Sequence, residues 1–295
     1  MSAAPPLFDI ALLTSRRDRA AASASAHDFL LKRVAEDLAE RLAIVQRRFP
    51  LALDLGAHHG VIGREIGRLP SVETLISADP SANLLGQAPG HRLVAQLDML
   101  PFGDASLDLV VSGLALQLVD DLPGTLVQIR RALKPDGLLL AALLGGRTLT
   151  ELREAWLAAE AELLGGASPR VAPFADVRDL GGLLQRAGFS LPVADSDIVT
   201  VAYETPLALM RDLKGMGASN MLFERRRTPV TRGLLLRAAE IYAERFGLEG
   251  GRVPATFEIL TLTAWAPHES QQQPLKPGSA KARLADALGV RERKI

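Results

Sequence analysis

Cysteine is absent from the 295 residues of this chain. The chain therefore has no disulfide, no thiolate nucleophile, no cysteine zinc site and no iron–sulfur cluster held by its own side chains. Long apolar runs are lacking as well. Hydrophobic residues make up 48% of the chain, yet no uninterrupted run reaches the roughly 18 residues that a membrane span needs. We therefore expect a soluble globular protein with a substantial core.

An excess of charge of one sign is also missing. Thirty-four basic residues balance 34 acidic ones, so no global field draws the chain to nucleic acid or to an anionic membrane. The N-terminal stretch lacks the charged start, apolar centre and cleavage pattern of a secretory signal. The missing cysteine fits a reducing compartment. These features predict a cytoplasmic protein.

The segment LALDLGAHHGVIGREI, residues 51–66, is typical of a strand, a tight turn and a helix. Its apolar run ends at Asp54 and Leu55, Gly56 allows a positive φ at the turn, and Gly60 leaves room for a ligand to approach. The helix that follows offers unpaired N–H groups to a polar ligand. The pattern predicts a nucleotide-like ligand at this turn, although such glycines are often turn residues alone.

Apolar strands and helices alternate after this turn. Strands are predicted over 72–79, 91–98, 107–116 and 137–145, with helices over 27–49, 61–68, 121–133 and 146–170 and a short one after Asp79. Further on come a helix that stops at Gly188, two strand-like runs, two helices with a Gly- and Arg-rich connection, and a last strand over 258–266. Continuous apolar strands joined by helices indicate a parallel sheet that binds ligands at the carboxyl ends of its strands.

Acidic residues fall at or near these strand ends. Asp79 lies about 20 residues beyond the glycine turn, the spacing at which a second-strand acid reaches ribose hydroxyls. Alternatively it is a helix N-cap, helped by Pro80 and Ser81, and the two roles can coexist. Asp98 can accept from an exocyclic amine while Met99 flanks a flat ring. The alternative for Asp98 is an ordinary loop acid.

The motifs LDLGAHHG, ISADPS, LDML, LDLVVSGLALQLVDDLP and LKPDGLLL, in this order, resemble a class I S-adenosylmethionine-dependent methyltransferase over roughly residues 27–200. The strings GGRTLTELR, SPRVAPFADVRDLGGLLQRAGF, DLKGMGASN, VPATFEILTLTAW and HESQQQPLKPGSA extend the resemblance over nearly the whole chain, to the respiratory complex I assembly factor 5 family. This resemblance implies a Rossmann-like α/β fold with a seven-stranded, mostly parallel sheet and helices on both faces. It also implies an arm over 1–26, a methyltransferase-fold domain over 27–266 with a helical insertion at about 205–250, and a flexible tail over 267–295.

The same resemblance implies a protein that binds S-adenosyl-L-methionine and acts early in the assembly of NADH:ubiquinone oxidoreductase, where it hydroxylates an arginine of the small iron–sulfur subunit. Carried over by position, the cofactor site consists of Asp54, Gly56, Ala57 and Gly60 at the methionine, Asp79 and Pro80 at the ribose, Asp98 and Met99 at the adenine, and Ser112, Gly113 and Leu114 as the floor. The chain departs from the family pattern at Ala57-His58-His59, where two imidazoles narrow the site. It also has Gln117 and Leu118 where the family commonly has an aromatic residue and a histidine, so a histidine base is excluded there.

Two further regions carry predictions. The arginines of the N-terminal arm, Arg16, Arg17 and Arg19, belong either to an arm packed on the domain or to a lid that meets an acidic ligand group. Lys214, Arg225, Arg226 and Arg227 are predicted to bind an acidic surface of the protein substrate, the alternative being ordinary surface charge.

The sequence leaves several reactions and functions possible. Methyl transfer needs little more than orientation and exclusion of water, whereas hydroxylation needs an oxidant that the sequence does not identify. No catalytic residue and no metal site is assigned, because adjacent His58 and His59 are unsuited to turn both rings to one iron. The alternatives are a malonyl-carrier-protein methyl ester synthase, a non-catalytic assembly chaperone and an NAD-type oxidoreductase. No nucleic acid is expected as a partner, and membrane association is at most peripheral, through the partner.

Overall fold

A computed structural model describes residues 5–272. Its strands are β1 (Phe49–Leu55), β2 (Val72–Asp79), β3 (His91–Val94), β4 (Leu107–Gly113), β5 (Leu133–Leu144), β6 (Ser190–Tyr203) and β7 (Val253–Trp265). The helices are α1 (Ile10–Ala20), α2 (Phe29–Ala43), α3 (Val61–Ile66), α4 (Ala82–Leu85), α5 (Leu122–Ala132), α6 (Thr150–Leu164), α7 (Val177–Arg186), α8 (Pro206–Gly215) and α9 (Arg232–Phe246). The predicted short helix within the tail, near 282–288, lies outside the described residues.

The strands form a seven-stranded sheet in the order β3-β2-β1-β4-β5-β7-β6. Strands β1 to β5 pair in parallel, while β7 is antiparallel to both β5 and β6. The chain leaves β1 toward β2 and β3, then returns to β4 on the other side of β1. This reversal creates a crevice at the carboxyl ends of β1 and β4, which is where open α/β sheets bind their ligands.

The sheet is covered on both faces, as the continuous apolar strands predict. On one face α2, α3, α6 and α9 bury residues such as Leu38 and Tyr242 against the sheet. On the other face α5 and α7 bury Ile129 and Leu180. Helices α8 and α9 lie between β6 and β7 in the chain. No helix within residues 5–272 combines the length and the apolar character that crossing a bilayer requires.

Several strand predictions are wrong in extent, and strands β5 and β7 begin earlier than predicted, at Leu133 and Val253. Strand β3 ends at Val94 rather than residue 98, because its only neighbour, β2, ends at the paired residue Asp79. Strand β4 ends at Gly113, since Leu114 takes a φ of 51°. The two strand-like runs after Gly188 are one strand, β6, which β7 pairs over nearly its whole length. Its polar residues are tolerated because it is the edge of the sheet.

Candidate functional site

The turn after β1 adopts the left-handed backbone conformation that its glycines predict. Gly56 has a φ of 77° and Gly60 a φ of 82°. A Cβ on Gly56 would lie 2.1 Å from Cβ of Ala115, and one on Gly60 would lie 2.6 Å from Cα of Ala88. The absence of a side chain at Gly60 is therefore explained by packing against the segment after α4, and ligand approach is not needed to account for it.

Asp79, at the end of β2, joins this turn to the start of α4. Its side chain is fully buried. Oδ2 accepts the backbone N–H of His58 at 3.0 Å, and Oδ1 accepts the backbone N–H of Ser81 at 2.8 Å. The N-cap of α4 is Ser81, whose Oγ accepts the N–H of Leu84 at 3.2 Å. The capping role considered for Asp79 therefore belongs to its neighbour, and Asp79 instead fixes the geometry of both turns.

An arginine from the N-terminal arm covers this carboxylate. Arg17 of α1 is only 5% exposed, and its Nη1 lies 3.7 Å from Oδ2 of Asp79. That distance is too long for a hydrogen bond, and Nη1 has no other hydrogen-bond partner among the described residues. Burial raises the pKa of Asp79, while the charge of Arg17 lowers it. The arm thus packs on the domain and also brings an arginine to the acid predicted to bind ribose.

Asp54, two residues before the glycine turn, is a buried carboxylate with no hydrogen-bond partner among the described residues. It pairs with Ser77 across the β1–β2 ladder, and the Ser77 hydroxyl is likewise unpartnered. Burial and the charge of Asp79 raise the pKa of Asp54 to about 7. The nearby N–H of Gly63 lowers this pKa slightly, but it is not placed to form a hydrogen bond with the carboxylate. The site therefore contains two neighbouring buried carboxylates, one of them unsatisfied.

The raised pKa of Asp54 makes stability depend on pH. The native state keeps this proton to about pH 7, whereas the unfolded chain loses it near pH 4, so the free energy of unfolding falls as the pH rises between these values. Asp54→Asn should reduce this fall by roughly 2–4 kcal/mol. Denaturant unfolding at pH 5 and pH 8 measures the difference. Asp104→Asn, at an exposed acid paired with Arg131, is the control, and equal pH slopes for both variants would contradict the assignment.

A large cavity of about 680 Å³ adjoins the turn. Near the turn it is bordered by His58 and Leu114, and farther away by aromatic residues such as Trp156 and Phe257. Burial and the charge of Arg17 lower the pKa of His58 to about 3. The neutral ring donates from Nε2 to the carbonyl oxygen of Gly113 at 3.0 Å. His58 therefore holds the end of β4 in place and forms only part of the cavity wall.

The other histidines on the cavity wall are also tied to the protein. His59 Nε2 lies 3.1 Å from Oδ2 of Asp28, and His27 Nδ1 lies 2.5 Å from Oδ1 of Asp212. Within residues 5–272 no group of three or more histidine, aspartate and glutamate side chains is placed to hold a metal ion. These two pairs fix the start of α2 against the turn and against α8.

A second, small cavity of about 20 Å³ lies where the adenine is predicted. Pro80, Leu97 and Asp98 border it, and residues of α1 close it. Met99 does not border it and is 72% exposed, so the structure does not support the prediction that Met99 flanks the ring. Leu97 faces the cavity instead, because the chain has already left β3 and the alternation of a strand no longer applies.

The predicted floor is only partly in contact with the cavities. Leu114 borders the large cavity, whereas Ser112 is buried and donates its hydroxyl proton to the carbonyl oxygen of Leu55 at 2.6 Å. A Cβ on Gly113 would lie 2.0 Å from Cδ1 of Ile62. Ala57 is buried against the end of α4. These residues position the site, and Leu114 forms its surface.

The residues predicted to bind a protein partner fall into two groups. Lys214 at the end of α8 is exposed and borders the large cavity, and Arg226 and Arg227 are exposed. Arg225, in contrast, is paired with Asp9 at 3.0 Å and donates to the carbonyl oxygen of Leu222. Arg225 therefore anchors the N-terminal arm and is not a free docking group.

Comparison with known proteins decides the family. A family model described as a methyltransferase domain matches residues 53–141, from β1 into β5. Arginine-hydroxylase NDUFAF5 of Danio rerio is 41% identical over 95% of this chain and 89% of that protein. The human NDUFAF5 is 42% identical over 86% of this chain and 74% of that protein. The chain belongs to the NDUFAF5 family.

Another curated relative and a solved structure are also similar to this chain. Malonyl-[acyl-carrier protein] O-methyltransferase of Halorhodospira halophila is 36% identical to the chain, over 92% of it and 93% of that protein. A solved putative methyltransferase from Bacillus halodurans superimposes with a TM-score of 0.56 and 17% identity, over 79% of this chain and 100% of that one, and shows the fold alone. The predicted family, class I methyltransferase fold and cofactor S-adenosyl-L-methionine are confirmed.

The donor set fits this cofactor. The unsatisfied carboxylate of Asp54 and the carboxylate of Asp79 are acceptors for the ammonium and hydroxyl groups that S-adenosylmethionine carries. Leu97 and Pro80 offer apolar surface beside Asp98 for a flat ring. When bound, the cofactor supplies a sulfonium centre that makes its methyl group electrophilic. Asp54 and Asp79, which border neither of the two cavities, would hold its polar groups, and Leu114 would contact it from the wall of the large cavity.

Proposed function

We propose that this chain hydroxylates an arginine side chain in a subunit of respiratory complex I during assembly of the complex. The NDUFAF5 relatives, named as arginine hydroxylases, are 36–42% identical to the chain. The malonyl-carrier-protein methyltransferases among its relatives are 34–36% identical, so a carboxyl methyltransferase is the less favoured alternative. The protein substrate that we propose is the small iron–sulfur subunit.

The large cavity carries this proposal, because its chemistry suits a long side chain with a polar end. Trp156 and Phe257 provide apolar walls for three methylene groups. Gln117 borders the cavity, and its buried Oε1 has no hydrogen-bond partner among the described residues, so a rotation of this side chain would supply an acceptor for a guanidinium N–H. The guanidinium of Arg170 already lies 4.8 Å above the ring of Trp156, a geometry that a substrate arginine can share with the other aromatic walls.

Hydroxylation of a C–H bond by dioxygen requires a reductant as well, because the second oxygen atom has to be reduced to water. One oxygen atom of dioxygen enters the C–H bond, and the other leaves as water with two protons and two electrons from a donor. The residues of this chain hold the arginine and exclude water around it. Both functions suit a cavity with apolar walls such as those that Trp156 and Phe257 provide.

We propose that the protein substrate approaches over the exposed Lys214, Arg226 and Arg227, whose positive charge favours an acidic partner surface. Association with a membrane would then be indirect, through the partner. The cytoplasmic location remains a prediction, since the NDUFAF5 relatives are named as mitochondrial proteins.

Mass spectrometry of the small iron–sulfur subunit tests both parts of this proposal. In cells that express the chain, one arginine should carry the added mass of one oxygen atom, and in cells without it that mass should be missing. A chain with Arg226→Ser and Arg227→Ser should keep its stability and bind S-adenosylmethionine, yet restore little of the modification, because the partner is no longer attracted.

The matched control carries Arg48→Ser and Arg68→Ser, which remove two exposed arginines at the amino ends of the strands. This control should restore full modification. An unmodified subunit in the presence of the wild-type chain would reject the hydroxylase function, and full modification by the Arg226, Arg227 variant would reject the docking surface.

A further inference from the structure

Helix α1 occupies the space that the cofactor needs. Ile10, Leu13 and Thr14 close the small cavity between Pro80 and Asp98. The remaining volume of about 20 Å³ holds about one water molecule and cannot admit a purine ring. The adenine end of S-adenosylmethionine therefore has no room while α1 is in this position.

The same helix covers Asp79, the acid predicted to bind the ribose. Arg17 lies over Asp79, whose two oxygens are buried and already accept N–H groups of the adjoining turns. Asp18, the next residue of α1, accepts the hydroxyl proton of Ser81 at 2.5 Å. Ribose hydroxyls can reach Asp79 only when Arg17 moves away. The separation of 3.7 Å and the unpartnered Nη1 of Arg17 indicate a contact that is readily exchanged.

The start of α1 is fastened to the segment 219–225, which precedes α9. Phe8 and Leu222 form an antiparallel bridge, and the N–H of Asp9 donates to the carbonyl oxygen of Met221 at 2.9 Å. The Asp9 carboxylate, which caps α1, pairs with Arg225 at 3.0 Å. Beyond the other end of α1 lies a 3₁₀ turn of small residues, Ala21–Ala26, whose side chains offer little resistance to a change of backbone angle. The helix is also held at Arg16, which donates to the carbonyl oxygens of Ser219 and Asn220, and the turn of small residues at its end is the place about which it can swing.

We propose that α1 is a gate over the cofactor site, with the Asp9–Arg225 ion pair and the Phe8–Leu222 bridge as its latch. S-adenosylmethionine enters after the latch opens and α1 swings about Ala21–Ala26, which releases Arg17 from Asp79 and uncovers the adenine site. This proposal goes beyond the arginine hydroxylation proposed above, because it concerns entry of the cofactor and involves no protein substrate.

The absence of cysteine allows a direct test of the gate. A chain with Phe8→Cys and Leu222→Cys places its only two thiols on directly opposed residues of an antiparallel bridge, a separation that a disulfide can span. In the oxidised form, calorimetry should show S-adenosylmethionine binding lost or slowed by more than about tenfold relative to the same protein after reduction, since the gate is locked. Equal binding by the oxidised and reduced forms would overturn the proposal.

A second variant keeps the buried residues intact. Arg225→Gln removes one side of the latch, and stopped-flow binding of S-adenosylmethionine should then show an opening rate, seen as the plateau at high cofactor concentration, raised roughly two- to fivefold, the scale of one exposed or half-buried ion pair. Arg237→Gln is the control, because it breaks an ion pair with Glu162 between α9 and α6, away from α1. A rate that rises linearly with cofactor concentration and is the same in all three proteins would contradict gating.

Discussion

Asp79→Asn is expected to weaken S-adenosylmethionine binding by about 1.5–3 kcal/mol, or roughly 10- to 150-fold. The ribose hydroxyls donate to an ionised carboxylate, and hydrogen bonds to a charged group are the stronger ones. An asparagine keeps the shape of the side chain but has a single acceptor oxygen, and that oxygen is already needed by the N–H of His58 or of Ser81. Titration calorimetry of the purified protein measures the loss.

A control is needed because Asp79 also holds the two turns. Asp121→Asn is suitable, since Asp121 likewise accepts a backbone N–H, that of Gly124 at 2.8 Å, at the start of α5. It lies outside the two cavities and should leave cofactor affinity unchanged. Undiminished affinity in a folded Asp79→Asn protein would remove the ribose assignment.

Gly56→Ala should have the largest effect on stability, lowering the free energy of unfolding by about 3 kcal/mol or more. A φ of 77° costs an alanine about 1 kcal/mol. The added Cβ would also lie 2.1 Å from Cβ of Ala115, a distance at which the loop after β4 has to shift, and such overpacking typically costs 1–3 kcal/mol. Because this loop carries Leu114 and follows directly on Gly113, whose carbonyl His58 contacts, cofactor binding should fall as well.

Gly165→Ala separates the cost of the positive φ from the cost of the close contact with Ala115. Gly165, after α6, has a similar φ of 67°, but nothing lies within 4 Å of the added Cβ. It should therefore cost only the backbone term, about 1 kcal/mol. Urea unfolding of both variants gives the comparison, and equal losses would mean that the contact between the turn and Ala115 contributes nothing.

The parts of the site that depend on local sequence could be predicted, as Asp79 shows. Its place at the end of β2 follows from an apolar run, a turn and a fixed spacing from Gly56, all of which are set within about 30 residues of chain. The residue at which β3 ends could not be predicted in the same way. The apolar pattern continues to Leu97, but β2 offers no pairing beyond Val94, so Met99 turns to solvent and Leu97 faces the cavity.

Contacts between distant segments were beyond prediction for a different reason. The arm has three arginines near one another, which is compatible with a lid, but the pairing of Arg17 with Asp79 depends on how α1 packs against α4 and the end of β2. The partner of Arg225 could not be predicted either, since Asp9 lies more than 200 residues earlier in the chain. Charge alone predicts that such residues bind something, and only the tertiary structure identifies what they bind.

Isotope labelling distinguishes the insertion of oxygen into an arginine from the transfer of a methyl group. Cells that express the chain would be grown with isotopically heavy dioxygen and with methionine carrying a deuterated methyl group, and the small iron–sulfur subunit would be analysed by mass spectrometry. We expect heavy oxygen on one arginine and no deuterated methyl group on any residue other than methionine, with an unmodified arginine in cells that lack the chain. A deuterated methyl group on a side chain other than methionine, or an arginine without heavy oxygen, would rule out arginine hydroxylation by this chain.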